Sequence, residues 1–210
     1  MLQTLAPAKL VILGEYAVLD GAPALVQAID RYAKVQVSAS ESGRHEVMAL
    51  PLMDAALPFR FDNEGRFRWL DDKAHQLLPF VQPLMEDLGP WGEVRDANGQ
   101  ALSALRITLD TQAFFSEYQG ERRKLGLGSS AALAVSLAAA WYASRHQVQA
   151  LDVQRWLPTL VDLHRKLQNG KGSGVDVAAS LYGGLIEYQV GNQLTGEDYI
   201  PPSAQAIPTP

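Results

Sequence analysis

The chain has 210 residues, 47% hydrophobic and 20% charged, with a formal net charge of -5 and no cysteine. Such a chain can bury the core of one or at most two globular domains, and the missing cysteines exclude disulfides and thiolate metal sites. The acidic balance argues against nucleic acid or an anionic membrane as partner, since both are bound through clustered Lys and Arg, and leaves a small molecule as the expected ligand. The N-terminus, MLQTLAPAKLVIL, lacks the basic and long apolar regions of a signal peptide. Together with the absence of cysteine, this is compatible with a cytoplasmic location.

Residues 5–13 read as a buried strand ended by Gly14, and Gly21-Ala-Pro23 precedes a second extended run over 25–38. Residues 59–70 alternate about Asp62-Asn-Glu-Gly65 as a hairpin does. Leu77, Leu78, Val81, Leu84 and Leu88 have helical spacing, interrupted by Pro79 and Pro83. Asp96-Ala-Asn-Gly99 reads as a turn before a strand over 102–109. Residues 125–144 carry no charge, but their apolar part, 131–143, falls short of the ~20 residues that cross a bilayer, so a helix buried on all sides is expected. Over 152–168, Val153, Trp156, Leu157, Leu160, Val161 and Leu167 share one helical face, with Asp152 as N-cap. The loop Asn169-Gly-Lys-Gly-Ser-Gly174 opens a short helix over 175–181, Gly183-Gly184 ends it, and 185–190 alternates like a strand. The last ten residues hold four prolines and no periodicity, and read as a tail or linker without a folded partner.

The most informative stretch is Lys124-Leu-Gly-Leu-Gly-Ser-Ser-Ala-Ala132, a glycine-rich loop running into the uncharged helix. A helix N-terminus exposes unpaired backbone N–H groups and the positive end of the helix dipole, and glycine lets a phosphate chain approach the backbone. The stretch is not a Walker A loop, because no Gly-Lys-Ser/Thr closes it, and it lacks the third glycine of the dinucleotide fingerprint. An ordinary strand-to-helix turn capped by serine is the structural alternative.

Three separated segments together resemble the GHMP kinases: APAKLVILGEYAVLDG from Ala6, GLGSSAA from Gly126 and GSGVDVA from Gly172. They are similar to that family's first motif, phosphate loop and aspartate motif, in that order. The resemblance covers about residues 4 to 190 and implies an α+β fold, the GHMP kinase N-terminal domain, with a mixed sheet and helices packed on one side. It places the ATP-binding domain at 1–195 and a Pro-rich tail or truncated linker at 196–210. The implied reaction moves the γ-phosphoryl group of ATP to a small acceptor. His164-Arg-Lys-Leu-Gln168 and Gly14-Glu-Tyr16 are most similar to members whose acceptor is phosphomevalonate, which would yield diphosphomevalonate on the mevalonate route to isoprenoids. Mevalonate or another small acceptor is the alternative within the family, and a non-catalytic nucleotide-binding module is the alternative outside catalysis.

The resemblance also implies roles. The amides of Gly126, Leu127, Gly128, Ser129, Ser130 and Ala131 would hold the ATP phosphates, with Mg2+ bridging them. Ser130 is the hydroxyl expected on the metal, Ser129 is less favoured, and each has serine capping as its bland reading. The second metal ligand is unassigned; Gln168 stands where relatives carry a glutamate. Lys9 is a lone cation in an apolar strand and is expected to face Asp176, the two forming the catalytic pair; a structural ion pair and an N-terminal cap are the respective alternatives. Glu15, Tyr16, Ser173 and Gly174 match substrate-side positions. Lys124, with Arg122 and Arg123, would add charge near the phosphates or form a solvated basic run. His164 is equally readable as a satisfied core histidine. Family members are usually longer, with a second domain that closes the cleft, so a truncated kinase, a subunit completed by a second polypeptide and a binding remnant all stay open. Oligomeric state is not legible.

Overall fold

The structure, a computed structural model, describes residues 1–96, 98–146, 151–170, 172–192 and 200–208. Its elements are β1 (Leu2–Leu13), β2 (Ala24–Ala39), β3 (Glu46–Leu50), β4 (Leu57–Phe61), β5 (Phe67–Trp69), α1 (Lys73–Leu77), α2 (Val81–Leu88), β6 (Leu105–Asp110), β7 (Phe115–Tyr118), β8 (Glu121–Lys124), α3 (Ser129–His146), α4 (Val153–Leu167), α5 (Val175–Tyr182), β9 (Leu185–Gln189) and β10 (Ser203–Ile207). They divide into one unit of Met1–Leu5, Ala33–Ala113 and Ser136–Leu151 and another of Ala6–Tyr32, Phe114–Val135 and Asp152–Pro210. The long elements β1, β2 and α3 contribute residues to both.

In the first unit the sheet is mixed. The end of β2 runs antiparallel to β6, from Lys34 opposite Asp110 to Ala39 opposite Leu105, whereas β3 runs parallel to β6. β4 and β5 add antiparallel ribbons. Alternation buries Val47 and Ala49 on β3 and Leu105, Ile107 and Leu109 on β6. The expected hairpin forms because the Asp62 carboxylate accepts from the N–H groups of Glu64 and Arg66, at 3.0 and 2.9 Å, and so builds the turn itself. Its arms bring Phe59 and Phe67 into a stack at 4.5 Å, with Trp69 edge-on to Phe67 at 4.8 Å. The proline-interrupted segment becomes two helices, α1 and α2. Pro79 falls between them, and Pro83 sits in the first turn of α2, where a missing N–H costs nothing.

In the second unit the start of β2 pairs antiparallel with β9, from Ala24 opposite Tyr188 to Gln27 opposite Leu185, and β9 pairs antiparallel with β10. α4 packs on α5, and α5 on β9. α4 begins where expected: the Asp152 side chain accepts from the N–H of Arg155 at 3.2 Å, and Leu157, Leu160 and Val161 turn inward. The first turns of α3 are buried from Ala131 to Val135.

Two expectations are corrected. β1 is not buried throughout: Ala6 and Ala8 face inward, while Leu5, Leu10, Ile12 and Leu13 are exposed, so the strand lays its small residues on the core and its bulky ones outside. The last ten residues are not wholly a tail, because Ser203–Ile207 forms β10 on β9. Strand pairing is a backbone transaction and needs no apolar alternation, so the sequence carried no signal of it. The strands β3, β7 and β8 were not anticipated either; every residue of β8 is exposed and none is apolar. Lys171 of the second glycine-rich loop and the expected boundary at residue 195 lie outside the described residues. Among the described residues no helix is long and apolar enough to cross a membrane.

Candidate active site

All the residues singled out from the three motifs fall in the second unit. Two ties made by β1 bring the motifs together. The Lys9 N–H donates to the Leu127 carbonyl at 3.1 Å, joining the strand to the glycine loop. The Ser180 hydroxyl donates to the Pro7 carbonyl at 2.8 Å, joining the strand to α5. With the backbone held on both sides, the Lys9 Nζ meets the Asp176 Oδ1 at 2.9 Å, the side chains being 13% and 30% exposed. The pair is half-sheltered rather than sealed, so a ligand can reach it.

Gly128 closes the arrangement. Its φ of +78° is left-handed, and a Cβ there would lie 3.2 Å from Lys9 Cγ and 3.5 Å from the Asp176 Oδ2. The loop therefore presses backbone against the ion pair. α3 starts at the next residue, and its first intrahelical bond runs from the Ala132 N–H to the Gly128 carbonyl at 3.0 Å. The amides of Ser129, Ser130 and Ala131 precede that bond, and the helix does not use them. Ser129 is buried and Ser130 exposed. The Ser130 Oγ shares a hydrogen bond with the His164 Nε2 at 3.3 Å. Burial pushes the His164 imidazole below its ordinary pKa, and the Asp176 charge pulls it partly back, so the ring is neutral at pH 7.

Beside the pair lies a cavity of about 270 Å3 lined by Lys9, Val11, Glu15, Tyr16, Leu19, His164, Gln168, Gly172, Ser173, Gly174, Val175 and Asp176. Glu15, Tyr16, Ser173, Gly174 and Gln168 thus line the same cavity as the ion pair. Lys124 does not: it is exposed in β8, opposite Phe115, and does not line the cavity. Its neighbour Arg123 is tied to Glu121 at 3.1 Å and lies over the Tyr118 ring at 5.4 Å, the geometry of a solvated basic hairpin. Among the described residues no group of three or more His, Cys, Asp or Glu is arranged to hold a metal ion.

Sequence reasoning missed Ser180, Tyr188 and Arg165. Ser180 and Tyr188 carry no local signal, because their partners are carbonyls far along the chain or on another element. Arg165 had one: it lies four residues beyond Val161 and eight beyond Leu157, on the apolar face, and it is buried.

Residues 94–184 match the family model of the GHMP kinases N terminal domain, and solved structures that share this fold include a phosphomevalonate kinase and a mevalonate kinase. The chain carries a GHMP kinase N-terminal domain. It is similar to the phosphomevalonate kinase of Streptomyces sp. (strain CL190), 33% identical over 189 residues, 88% of this chain and 48% of that protein. It is also similar to the mevalonate kinase of Thermococcus onnurineus (strain NA1), 28% identical over 191 residues, 89% of this chain and 51% of that one. Streptococcus pneumoniae phosphomevalonate kinase, solved in complex with phosphomevalonate and AMPPNP, shares the fold at a TM-score of 0.62 and 23% identity, over 91% of this chain and 50% of that one. The chain spans about half the length of the curated relatives it matches.

Proposed function

We propose that these residues form the transfer site of an ATP-dependent small-molecule kinase whose acceptor is phosphomevalonate and whose product is diphosphomevalonate. The supporting observation is the Lys9–Asp176 pair, at 2.9 Å, held against the glycine loop that opens α3. Phosphoryl transfer asks for alignment and charge stabilisation, and the pieces divide accordingly. The amides of Ser129, Ser130 and Ala131 receive the terminal phosphates of ATP, and the cavity beside Asp176 receives the acceptor.

The donor set fits a nucleotide with magnesium. The unused helix amides suit phosphate oxygens, and Mg2+ needs few protein ligands because it keeps waters and takes phosphate oxygens. Ser130 and Gln168 carry the protein oxygens that would complete its shell. When bound, the ion offsets the charge of the bridged phosphates.

Acceptor chemistry separates the candidates. An alcohol such as that of mevalonate holds its proton at neutral pH, so Asp176 would have to remove it. A phosphate monoester has a second pKa of about 6 and arrives largely ionised, which leaves Asp176 to orient Lys9, and Lys9 to offset repulsion between two anionic reactants. The greater similarity to a phosphomevalonate kinase supports the second case, and the similarity to mevalonate kinases keeps the first as the alternative. A second domain or polypeptide that closes the site is part of this proposal, as is a cytoplasmic setting.

The test measures ADP release with phosphomevalonate, mevalonate, galactose and homoserine, using the chain alone and the chain supplied with the second half of a relative. Phosphomevalonate is expected to exceed the others by at least about tenfold in kcat/KM. Preference for mevalonate reassigns the acceptor. Calorimetric binding of AMPPNP without turnover reduces the chain to a nucleotide-binding module, and no AMPPNP binding removes the proposal altogether.

A further inference from the structure

Arg165 is a charged residue in a place where charge is expensive. It lies on the inward face of α4, 8% exposed, and among the described residues no carboxylate pairs with it. Its donors go to main-chain carbonyls instead. Nε donates to the Gly172 carbonyl at 3.0 Å and a terminal nitrogen donates to the Ser173 carbonyl at 3.2 Å. The hydroxyl of Tyr188, itself fully buried, donates to the same Ser173 carbonyl at 2.5 Å. Three donors therefore hold two consecutive carbonyls of the loop that lines the cavity.

The chain then has little freedom before it reaches Asp176. Gly174 takes a φ of +85°, and a Cβ there would fall 2.6 Å from Val161 Cγ1 and 2.8 Å from the Tyr188 hydroxyl. α5 starts at Val175, whose N–H donates to the Ser173 Oγ at 3.3 Å, and Asp176 is its second residue. The direction in which Asp176 leaves the helix is thus set by the loop, and the loop is set by Arg165 and Tyr188. A lysine in place of Arg165 would supply one compact ammonium rather than a planar fork able to span adjacent carbonyls.

We infer that Arg165 is a positioning residue for phosphoryl transfer: by pulling in the Gly172 and Ser173 carbonyls, with Tyr188 assisting, it aims the Asp176 carboxylate at Lys9 and the acceptor, and leaves the phosphate loop at α3 untouched. This deepens the proposed kinase reading and rests on it. A residue serving only the packing of α4 would weaken everything together on removal; one acting through Asp176 weakens the acceptor side selectively.

The experiment compares R165M, R165K, Y188F, D176N and the R165M/D176N double variant with wild type in acceptor KM, kcat and AMPPNP affinity by calorimetry. R165M is expected to lower kcat/KM for the acceptor by up to about tenfold, no more than D176N does, with AMPPNP affinity changed less than about twofold, R165K recovering part of the loss and Y188F showing a smaller one. The double variant should stay within about threefold of the worse single variant, because both act on one carboxylate. Equal losses on the nucleotide and acceptor sides, or a double loss equal to the product of the singles, overturn the inference. If R165M does not fold, R165K and Y188F carry the same comparison. If the wild type binds AMPPNP but transfers phosphate to no acceptor, the kinase reading fails separately, and amide exchange over 172–178 decides: about tenfold faster exchange in R165K and Y188F, with 157–163 unchanged, supports the clamp, and unchanged exchange overturns it.

Discussion

On the proposed kinase reading Lys9 and Asp176 divide the work of the site according to the acceptor, and two substitutions separate the cases. With a phosphate acceptor, D176N leaves an oxygen near Lys9 and should reduce kcat by no more than about tenfold, because no base is required. K9A strips the cation and leaves Asp176 facing two anionic reactants, so a loss on the order of 100-fold or more is expected. The reverse order in steady-state kinetics would identify an alcohol acceptor. His45, in the first unit, gives a stability prediction. Its Nδ1 accepts the Leu105 N–H at 3.0 Å and its ring stacks on Phe59 at 5.2 Å, and burial holds the imidazole below its ordinary pKa. As pH falls, the unfolded chain takes up the proton first, so this contribution is complete above a pH of about 6.5 and is lost as pH drops through the lower folded value. The thermal midpoint should therefore decline between about pH 7.5 and about pH 5, less steeply in H45Q, whose amide oxygen still accepts but does not titrate. Lys9 was legible as a cation among apolar neighbours. Arg165 passed unremarked because the inward face of its helix was traced from apolar residues alone.

The loop that opens α3 was the most legible element, since glycines before an uncharged apolar run state both the sharp turn and the buried helix. Its closeness to the ion pair makes Gly128 a critical position. G128A forces a Cβ into a left-handed residue at a cost of about 1–2 kcal/mol and pushes on Lys9 Cγ, 3.2 Å away. Denaturant unfolding should register that loss, and calorimetry should find AMPPNP affinity reduced by at least about tenfold, on the order of the loss when backbone donors to phosphate are displaced. Other elements were illegible for a stated reason. β10 and β8 are held by main-chain pairing with side chains mostly outside, so their sequences lack the period that reveals a half-buried strand. β1 shows the opposite error, for its apolar run suggested burial on both faces whereas only its alanines face in.

The aromatic core and the candidate site lie in different units. The aromatic cluster of Phe59, Phe67 and Trp69 belongs to the first unit, whereas every lining residue of the candidate site belongs to the second. F59A, at a position 1% exposed, should cost about 3–5 kcal/mol in denaturant unfolding. The AMPPNP affinity of the folded fraction should stay within about twofold, since no site residue is touched. That the chain covers about half of its relatives also bears on catalysis. On the proposed kinase reading, a second half that closes the site would strengthen the stabilisation of developing charge, so turnover should rise when the second half of a relative is added. Residue order alone told what each short segment is: a glycine loop opening a buried helix, an amphipathic helix with its cap, a hairpin about Asp62. Such features arise from hydrogen-bonding periods and glycine conformations that span a few residues. Which segments meet was set by packing over long separations. The Ser180 bond to Pro7 and the Lys9 bond to Leu127 bring Lys9 and Asp176 to one place, and Arg165 holds the Ser173 carbonyl of the loop before Asp176. Contacts of that kind depend on where whole elements come to rest, and no window of neighbouring residues encodes them.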